Sequence, residues 1–532
     1  MNPDFRDRSP STPSTHSGGI PDAHFDFIVC GAGASGSVVA GRLAENPDVQ
    51  VLLIEAGGDD DHPHIQQPSD WHLNLGSERD WNFSGAANPH VNDRQIPLNM
   101  GRALGGGSSV NVMLWARGHK NDWEDFAMEA GDPAWNYASV LEIYRRVEDY
   151  RGTPDSARRG IGGPVHVAPA RDAQPIAGAM ISAAEKLGIP RFDNPNGAMM
   201  EGRGGAALND LIVKDGRRNS IYRAYVHPRR HQPNLTVLTD TLVSRLVFQG
   251  KQCIGVEVLR NGESMRFCAH SEVVLSLGAV NTPKVLMQSG VGPEDELRRH
   301  GIPLVQHLPG VGANHQDHVS FAVIFEYASP QAVGYGGSEA TLYWSSQSAL
   351  RLPDMFHCQV EFPVPSAENA TLGVPAHGWT MFAGLAHPQS RGRITLSGPK
   401  VTDAPIIQAN TLSHPEDLRS AIENIRFVQE LGAQASFKGL VKGESLPGKL
   451  DARGLENYAR NAAVTYWHQS CTAKMGRDSM SVVDGGLKVY GLEGLRIADA
   501  SIMPHVTSGN TMAPCVVIGE RAVESIRASH GI

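Results

Sequence analysis

The sequence has no excess of positive charge: 47 Lys and Arg stand against 56 Asp and Glu, a formal net charge of −9 over 532 residues. A nucleic-acid binder presents a basic face, so that class is set aside. No apolar run approaches the roughly 20 residues that span a bilayer, and no membrane span is expected. Cysteine is sparse and scattered (Cys30, Cys253, Cys268, Cys358, Cys471 and Cys515), without a CxxC pair or metal-ligand spacing. His62 and His64 lie close together but lack a third ligand, so no metal is assigned. A basic-then-apolar opening is missing too. "MNPDFRDRSPSTPSTHSGGIPDAHF" reads as a disordered arm over residues 1–24 rather than a secretory signal, which points to reduced thiols and a cytoplasmic location. What is present is ordinary globular composition, 41% hydrophobic and 19% charged, in a chain too long for one core.

The first strong element is "FDFIVC" from Phe25, a short apolar run suited to a buried parallel strand. "GAGASGSVVAGRLAENPDVQ" follows as a glycine turn and helix, and "VLLIEAGG" as a second buried strand ending at Glu55. This is a βαβ unit with a right-handed crossover. Gly31, Gly33 and Gly36 form GxGxxG between strand and helix. The first permits the turn, the second lets a pyrophosphate reach the helix N-terminus, and the third allows helix–strand contact. Glu55 stands 19 residues beyond Gly36, where its carboxylate can accept from a ribose 2′-OH. The unit predicts dinucleotide binding. The motif alone does not separate NAD from FAD, although its place at the start of the ordered chain favours FAD, and the acid disfavours NADP.

Further strands are expected in "NLTVLTDTLVSRLVFQGKQCIGVEVLRNG" and "MRFCAHSEVVLSLGAV", a meander followed by another buried strand. Residues 318–408 alternate polar and apolar positions, as in "GRITLSG", and predict a more antiparallel sheet. "SHPEDLRSAIENIRFVQELGAQ" reads as a helix with Ser413 as candidate N-cap. The chain closes with a strand in "LRIADAS" and a helix in "TMAPCVVIGERAVESIRAS".

Three stretches carry a family resemblance. "GRALGGGSSVNVMLWARGHKNDWE" (101–124), "GAVNTPKVLMQSGVG" (278–292) and "YWHQSCTAKMG" with its continuation to "GNTMAPCVVIGERA" resemble, in order, two signatures and the C-terminal catalytic region of the glucose–methanol–choline family of FAD-dependent oxidoreductases. The resemblance runs from Phe25 onward. It implies an α/β fold: a Rossmann-like FAD-binding domain with a parallel sheet and a β-meander, and a second α+β substrate domain on a mainly antiparallel sheet. The implied division gives 25–70, 205–317 and 462–532 to the FAD-binding domain, with 100–118 lining the flavin. Residues 71–204 and 318–461 then form the substrate-binding domain.

The resemblance also implies which residues meet FAD. They are Gly31, Gly33, Ala34, Ser35 and Gly36 in the first turn, Glu55 and Ala56 after the second strand, and Arg102, Gly105, Gly106, Gly107, Ser108, Asn111, Val112, Met113 and Leu114 in the glycine-rich stretch. Val243, Ala279, Trp467, Asp499, Ala500, Asn510, Thr511 and Met512 complete the set. Three successive glycines let backbone lie close to a phosphate or a ring, and their N–H groups can form an anion nest. The final helix places its positive end towards the flavin, where reduction puts negative charge. Some relatives carry histidine at the position of Val110 and join it covalently to the flavin. Valine has no nucleophile, so FAD is expected to be held non-covalently.

The chemistry implied is oxidation of a primary alcohol to an aldehyde. His468 matches the family's catalytic histidine and takes the hydroxyl proton, hydride passes to flavin N5, and O₂ (giving H₂O₂) or a quinone-type acceptor reoxidises the flavin. A neutral imidazole suits the task because its ordinary pKa lies near neutrality. Asn510, 42 residues on, cannot be a base and is expected to hold the substrate oxygen. His505 is given no role. "GASGS" around Ser35 resembles a GxSxG elbow out of phase, and Ser–His–Asp hydrolysis is rejected. A hydroxynitrile lyase of the same family is the alternative function. The alcohol itself is left open among aromatic, furanic, polyol and choline-like. A choline-type cation would need a carboxylate or an aromatic cage; Glu361 in "QVEFPV" is one candidate, although a solvated strand position is the preferred reading.

Overall fold

The computed structural model describes residues 24–334 and 337–532; the arm expected over 1–24, but for His24, lies outside the described residues. Two sheets organise the molecule. In the first, the strands run in the order Leu235–Leu238, Val51–Ile54, His24–Cys30, Glu263–Leu275, Gln252–Arg260, Thr241–Gln249, with Leu495–Ile497 also pairing to Glu263–Leu275. His24–Cys30 pairs in parallel with both its neighbours, in register Cys30↔Ile54 on one side and Cys30↔Leu275 on the other. Burial on both faces from Phe27 to Cys30 explains the apolar run "FIVC", with the partly exposed Asp26 just before it. The buried strand expected in "MRFCAHSEVVLSLGAV" is the 13-residue strand Glu263–Leu275, which also extends the meander. Its first half pairs antiparallel with Gln252–Arg260 and its second half parallel with His24–Cys30.

The second sheet runs Val441–Leu446, Val319–Tyr327, Gly378–Leu385, Met355–Val360, Ala340–Trp344, Gly204–Leu208, with Ala463–Thr465 on Val319–Tyr327. Every pairing in it is antiparallel. By pairing, the strand Gly204–Leu208 therefore goes with the second unit, whereas the expected boundary put residues from 205 in the first. "GRITLSG" does not join this sheet; Arg393–Thr395 forms a two-stranded ribbon with Ile406–Gln408.

Each sheet has its own apolar core. The first gathers the parallel strands with helices Ala34–Leu43 and Met512–His530, and it also takes in Trp115, Trp123, Phe126, Trp135, Tyr144 and Val167. Much of 115–167, expected in the substrate unit, thus packs on the cofactor side. The two helices cross so closely that a Cβ on Gly519 would fall 2.7 Å from Val38 Cβ and 2.8 Å from Ser35 O. The helix expected after Ser413 begins at Pro415 and runs to Gly432, but its N-cap is His414, whose ring accepts from the N–H of Glu416. Pro415 fixes the first helical φ and so moves the cap one residue along. Among the described residues no helix is long and apolar enough to cross a membrane.

Candidate active site

A cavity of about 250 Å³ lies between the two sheets. Its first wall is the glycine turn. Gly31 sits at φ +98°, and a Cβ there would lie 2.3 Å from Ser276 O; a Cβ on Gly36 would lie 1.9 Å from Gly31 O. Gly33 and Gly107 differ, since a Cβ on either would meet nothing within 4 Å and both face the cavity. The helix from Ala34 has no side-chain cap at its start, so its first amides are free for an anion. Glu55 holds the turn, its carboxylate accepting from the N–H groups of Ala32 and Gly57 at 2.9 Å each. Burial pushes its pKa up to about 7 against those bonds.

Asp499 enters from the C-terminal segment. It caps its own short turn by accepting from Ser501 N–H at 2.8 Å, and it also accepts from Gly278 N–H at 2.9 Å and Thr282 Oγ1 at 2.6 Å. Of the expected residues, Gly31, Gly33, Ala34, Ser35, Glu55, Ala56, Gly106, Gly107, Ser108, Asn111, Val112, Leu114, Ala279, Trp467, His468, Asp499, Ala500, Asn510, Thr511 and Met512 line the cavity. Gly36, Arg102, Gly105, Met113 and Val243 stand behind its wall. Gly36 packs on Gly31. Arg102 donates to Ala56 O at 3.3 Å and lies over Trp81. Gly105 N–H donates to Ala32 O, and Met113 and Val243 are core residues.

The reacting end is built around His468. Trp467 and Cys471 flank it in left-handed backbone at φ +62° and +73°, and Trp467 N–H donates to Thr465 Oγ1. Asp317 accepts the His468 N–H at 2.9 Å and Gln469 Nε2 at 2.9 Å, and is bonded by Thr465 Oγ1. Asn510 follows Gly509, at φ +102°, where a Cβ would meet the Tyr343 hydroxyl at 2.8 Å. Tyr343 Oη donates to Asn510 Oδ1 at 3.4 Å, and Asn510 Nδ2 lies 3.2 Å from His468 Nε2.

Behind His468, His318 Nδ1 lies 2.8 Å from His468 Nδ1, fully buried. This contact assigns the tautomer. Asn510 Nδ2 is a donor, so His468 Nε2 carries a lone pair and its proton sits on Nδ1, donated to His318 Nδ1. His318 then bears its own proton on Nε2, on a ring faced by the carbonyls of Ala386 and Thr507. Burial lowers the His468 pKa to about 3. The neutral form expected from an ordinary imidazole pKa is thus enforced by desolvation instead.

His318, Asp317 and Tyr343 are not marked by any motif. They come from 125 to 151 residues away from His468 in the chain, and only the second sheet brings them to it. Asp122, His387 and His505 also converge. Asp122 Oδ2 accepts from the N–H groups of His119 and Ser508 at 2.7 and 2.8 Å, and His387 Nε2 lies 2.8 Å from Ser508 Oγ. That cluster braces the segment leading to Asn510.

A parallel sheet, a glycine turn into an uncapped helix and a histidine at the end of the same cavity define a dinucleotide-dependent oxidoreductase. The GMC oxidoreductase family matches residues 25–320 with its N-terminal part and 388–519 with its C-terminal part, and the chain belongs to that family. FAD is therefore its cofactor. The sequence is similar to an oxygen-dependent choline dehydrogenase of Stenotrophomonas maltophilia (strain K279a), 36% identical over 94% of this chain and 95% of the relative. The structure is similar to pyridoxine 4-oxidase from Mesorbium loti, with TM-score 0.90, 31% identity and coverage of 96% and 99%. It is also similar to formate oxidase of Aspergillus oryzae RIB40, with TM-score 0.87, 26% identity and coverage of 96% and 99%.

The residues present fit FAD: open glycine faces, free helix amides and a buried carboxylate share one cavity. Val110 lines it without a nucleophile. Acid precipitation of the holoprotein is expected to leave the yellow colour in the supernatant; colour retained by washed pellet would contradict non-covalent binding.

Proposed function

We propose that the protein oxidises a primary alcohol to its aldehyde. The observation that carries this is the pair His468 and Asn510, 3.2 Å apart on the cavity wall, with His318 fixing the lone pair of the base on Nε2. A hydroxyl entering between them gives its proton to Nε2, while Asn510 Nδ2–H holds the oxygen as charge develops. FAD, when bound, would supply the acceptor for the two electrons, with O₂ (giving H₂O₂) or a quinone-type compound as the final acceptor. The names of the similar proteins specify choline, pyridoxine and formate, so the scaffold alone does not choose the substrate. Anaerobic bleaching of the flavin across a panel of alcohols, followed by air and a peroxide assay, tests the reaction; no bleaching by any alcohol would favour the hydroxynitrile-lyase alternative.

The pKa shifts give a pH profile. A pKa lowered to about 3 keeps His468 in its basic form above that value, so it is lost only in strong acid. Burial instead pushes Asp317 up to about 7, so its grip on His468 N–H weakens as pH falls through 7. Flavin reduction is expected to drop severalfold to a plateau below that pH, and Asp317→Asn to hold the low plateau throughout. A steady tenfold loss per pH unit below the ordinary imidazole pKa of about 6.5 would mean that His468 itself titrates.

A further inference from the structure

Asp122, His387 and His505 bring one donor atom each to within 4.8 Å of one another. They come from three separated parts of the fold. Asp122 stands in the first turn of the helix Lys120–Ala130, His387 follows the strand Gly378–Leu385 of the second sheet, and His505 lies between Asp499 and the helix Met512–His530. The described residues that line the cofactor cavity do not include them. The bonds of Asp122 and His387 to Ser508 leave His505 unused. Its Nδ1 lies 3.2 Å from Val506 O; a carbonyl only accepts, so Nδ1 carries the proton and Nε2 the lone pair. That Nε2 is buried and has no hydrogen-bond partner among the described residues, a condition rare for a buried polar atom.

The spacing suits a metal ion. Ligands at about 2.0–2.1 Å from a tetrahedral Zn²⁺ stand roughly 3.4 Å apart, and Asp122 Oδ1 and His387 Nε2 are 3.7 Å apart. Ser508 Oγ lies 2.8 Å from His387 Nε2 and 3.2 Å from Asp122 Oδ1, adding a fourth donor beside them. Donors this close leave a gap too small for water but wide enough for an ion, whose bonds are shorter than hydrogen bonds. The outer contacts suit it as well. A metal-bound imidazole commonly donates its other N–H to a carbonyl, as His505 Nδ1 does to Val506 O. The second carboxylate oxygen of Asp122 is held by His119 N–H and Ser508 N–H at 2.7 and 2.8 Å. The His387 side chain is 18% exposed, which gives an ion a way in. Two imidazoles with one carboxylate disfavour Ca²⁺ and Mg²⁺, which take oxygen ligands, and favour a first-row transition ion.

We propose that Asp122, His387 and His505 bind a divalent transition-metal ion of the Zn²⁺ type, with Ser508 Oγ or a water as the fourth ligand. The ion clamps the two units together. It joins the helix that gives Trp123 and Phe126 to the first core to the end of a strand in the second sheet, and it fixes the segment that leads to Asn510. The three ligands are far apart in the chain, so no local spacing announces the site.

The test uses FAD-loaded enzyme stripped with EDTA and dialysed. Zn²⁺ titrated by calorimetry is expected to bind the wild type at one tight equivalent per chain and to raise its midpoint of thermal unfolding. Two variants are compared: His505→Phe, whose ring can keep the contact with Phe126, and His387→Gln. Each is expected to weaken Zn²⁺ by about 100-fold or more, since even an outer partner of a metal ligand is worth about 10- to 100-fold. Mg²⁺ and Ca²⁺ are expected to give neither the heat nor the shift. Affinity unchanged in either folded variant would place the ion on other histidines, such as His62 and His64, and overturn the proposal. No tight equivalent in the wild type, or equal binding of Mg²⁺, would do the same. Retained FAD absorbance reports folding. Should both variants lose it, anomalous scattering at the zinc edge from zinc-loaded wild-type crystals decides: a peak among the three donors supports the site, and a peak elsewhere, or none, removes it.

Discussion

His468→Ala is expected to leave FAD bound, with its visible spectrum largely intact, and to slow anaerobic flavin reduction by about 10²- to 10⁴-fold, the range of a positioned general base. The imidazole touches Asn510, His318 and aromatic rings but supports no strand or helix, so its removal deprives the reaction of a proton acceptor rather than the fold of a contact. Reduction at the wild-type rate would remove His468 from the role of base. The companion substitution His318→Phe keeps an aromatic ring in the same space and deletes only the acceptor for His468 Nδ1–H. A smaller loss, about tenfold to a hundredfold, is expected, because the base then samples the tautomer with its proton on Nε2. An unchanged rate would mean that the tautomer is set elsewhere.

Gly36→Ala is expected to abolish FAD binding. The new Cβ would stand 1.9 Å from Gly31 O and 3.0 Å from Ser276 Cβ. Backbone cannot swing aside as a side chain does, so the turn and the helix N-terminus must separate. Overpacking costs about 1–3 kcal/mol even where side chains can adjust, and here the displaced atoms are those that cradle the cofactor. Gly107→Ala provides the contrast, since its Cβ would meet no protein atom within 4 Å. That variant is expected to fold and to lose FAD affinity only because the methyl occupies cofactor space. Flavin content after gel filtration, with far-UV circular dichroism as the fold readout, distinguishes the two; a fully yellow Gly36→Ala protein would refute the packing argument.

Much of the cofactor half was legible in the chain because its signals are local. A buried parallel strand shows as a mostly apolar run, a tight strand-to-helix turn as glycines at fixed spacing, and the acid that holds that turn as a carboxylate at the next strand end. Each follows from backbone geometry within some thirty residues. The helix cap at His414 rather than Ser413, and the change of Glu263–Leu275 from antiparallel to parallel pairing along its length, mark the limit of such reading: both depend on what the neighbouring segment does.

By itself the sequence determined the glycine turn and the family, and it singled out Glu55, His468 and Asn510 as candidates. Only the tertiary structure decided which nitrogen of His468 carries the lone pair, because that rests on His318, 150 residues away, and on Asn510 held by Tyr343. It also decided that desolvation keeps the His468 ring neutral and that the Glu361 carboxylate accepts from Gly334 N–H rather than lining the cavity. Tautomer, desolvation and the satisfaction of a buried polar atom are properties of a surrounding shell, and that shell is assembled from segments distant in the chain.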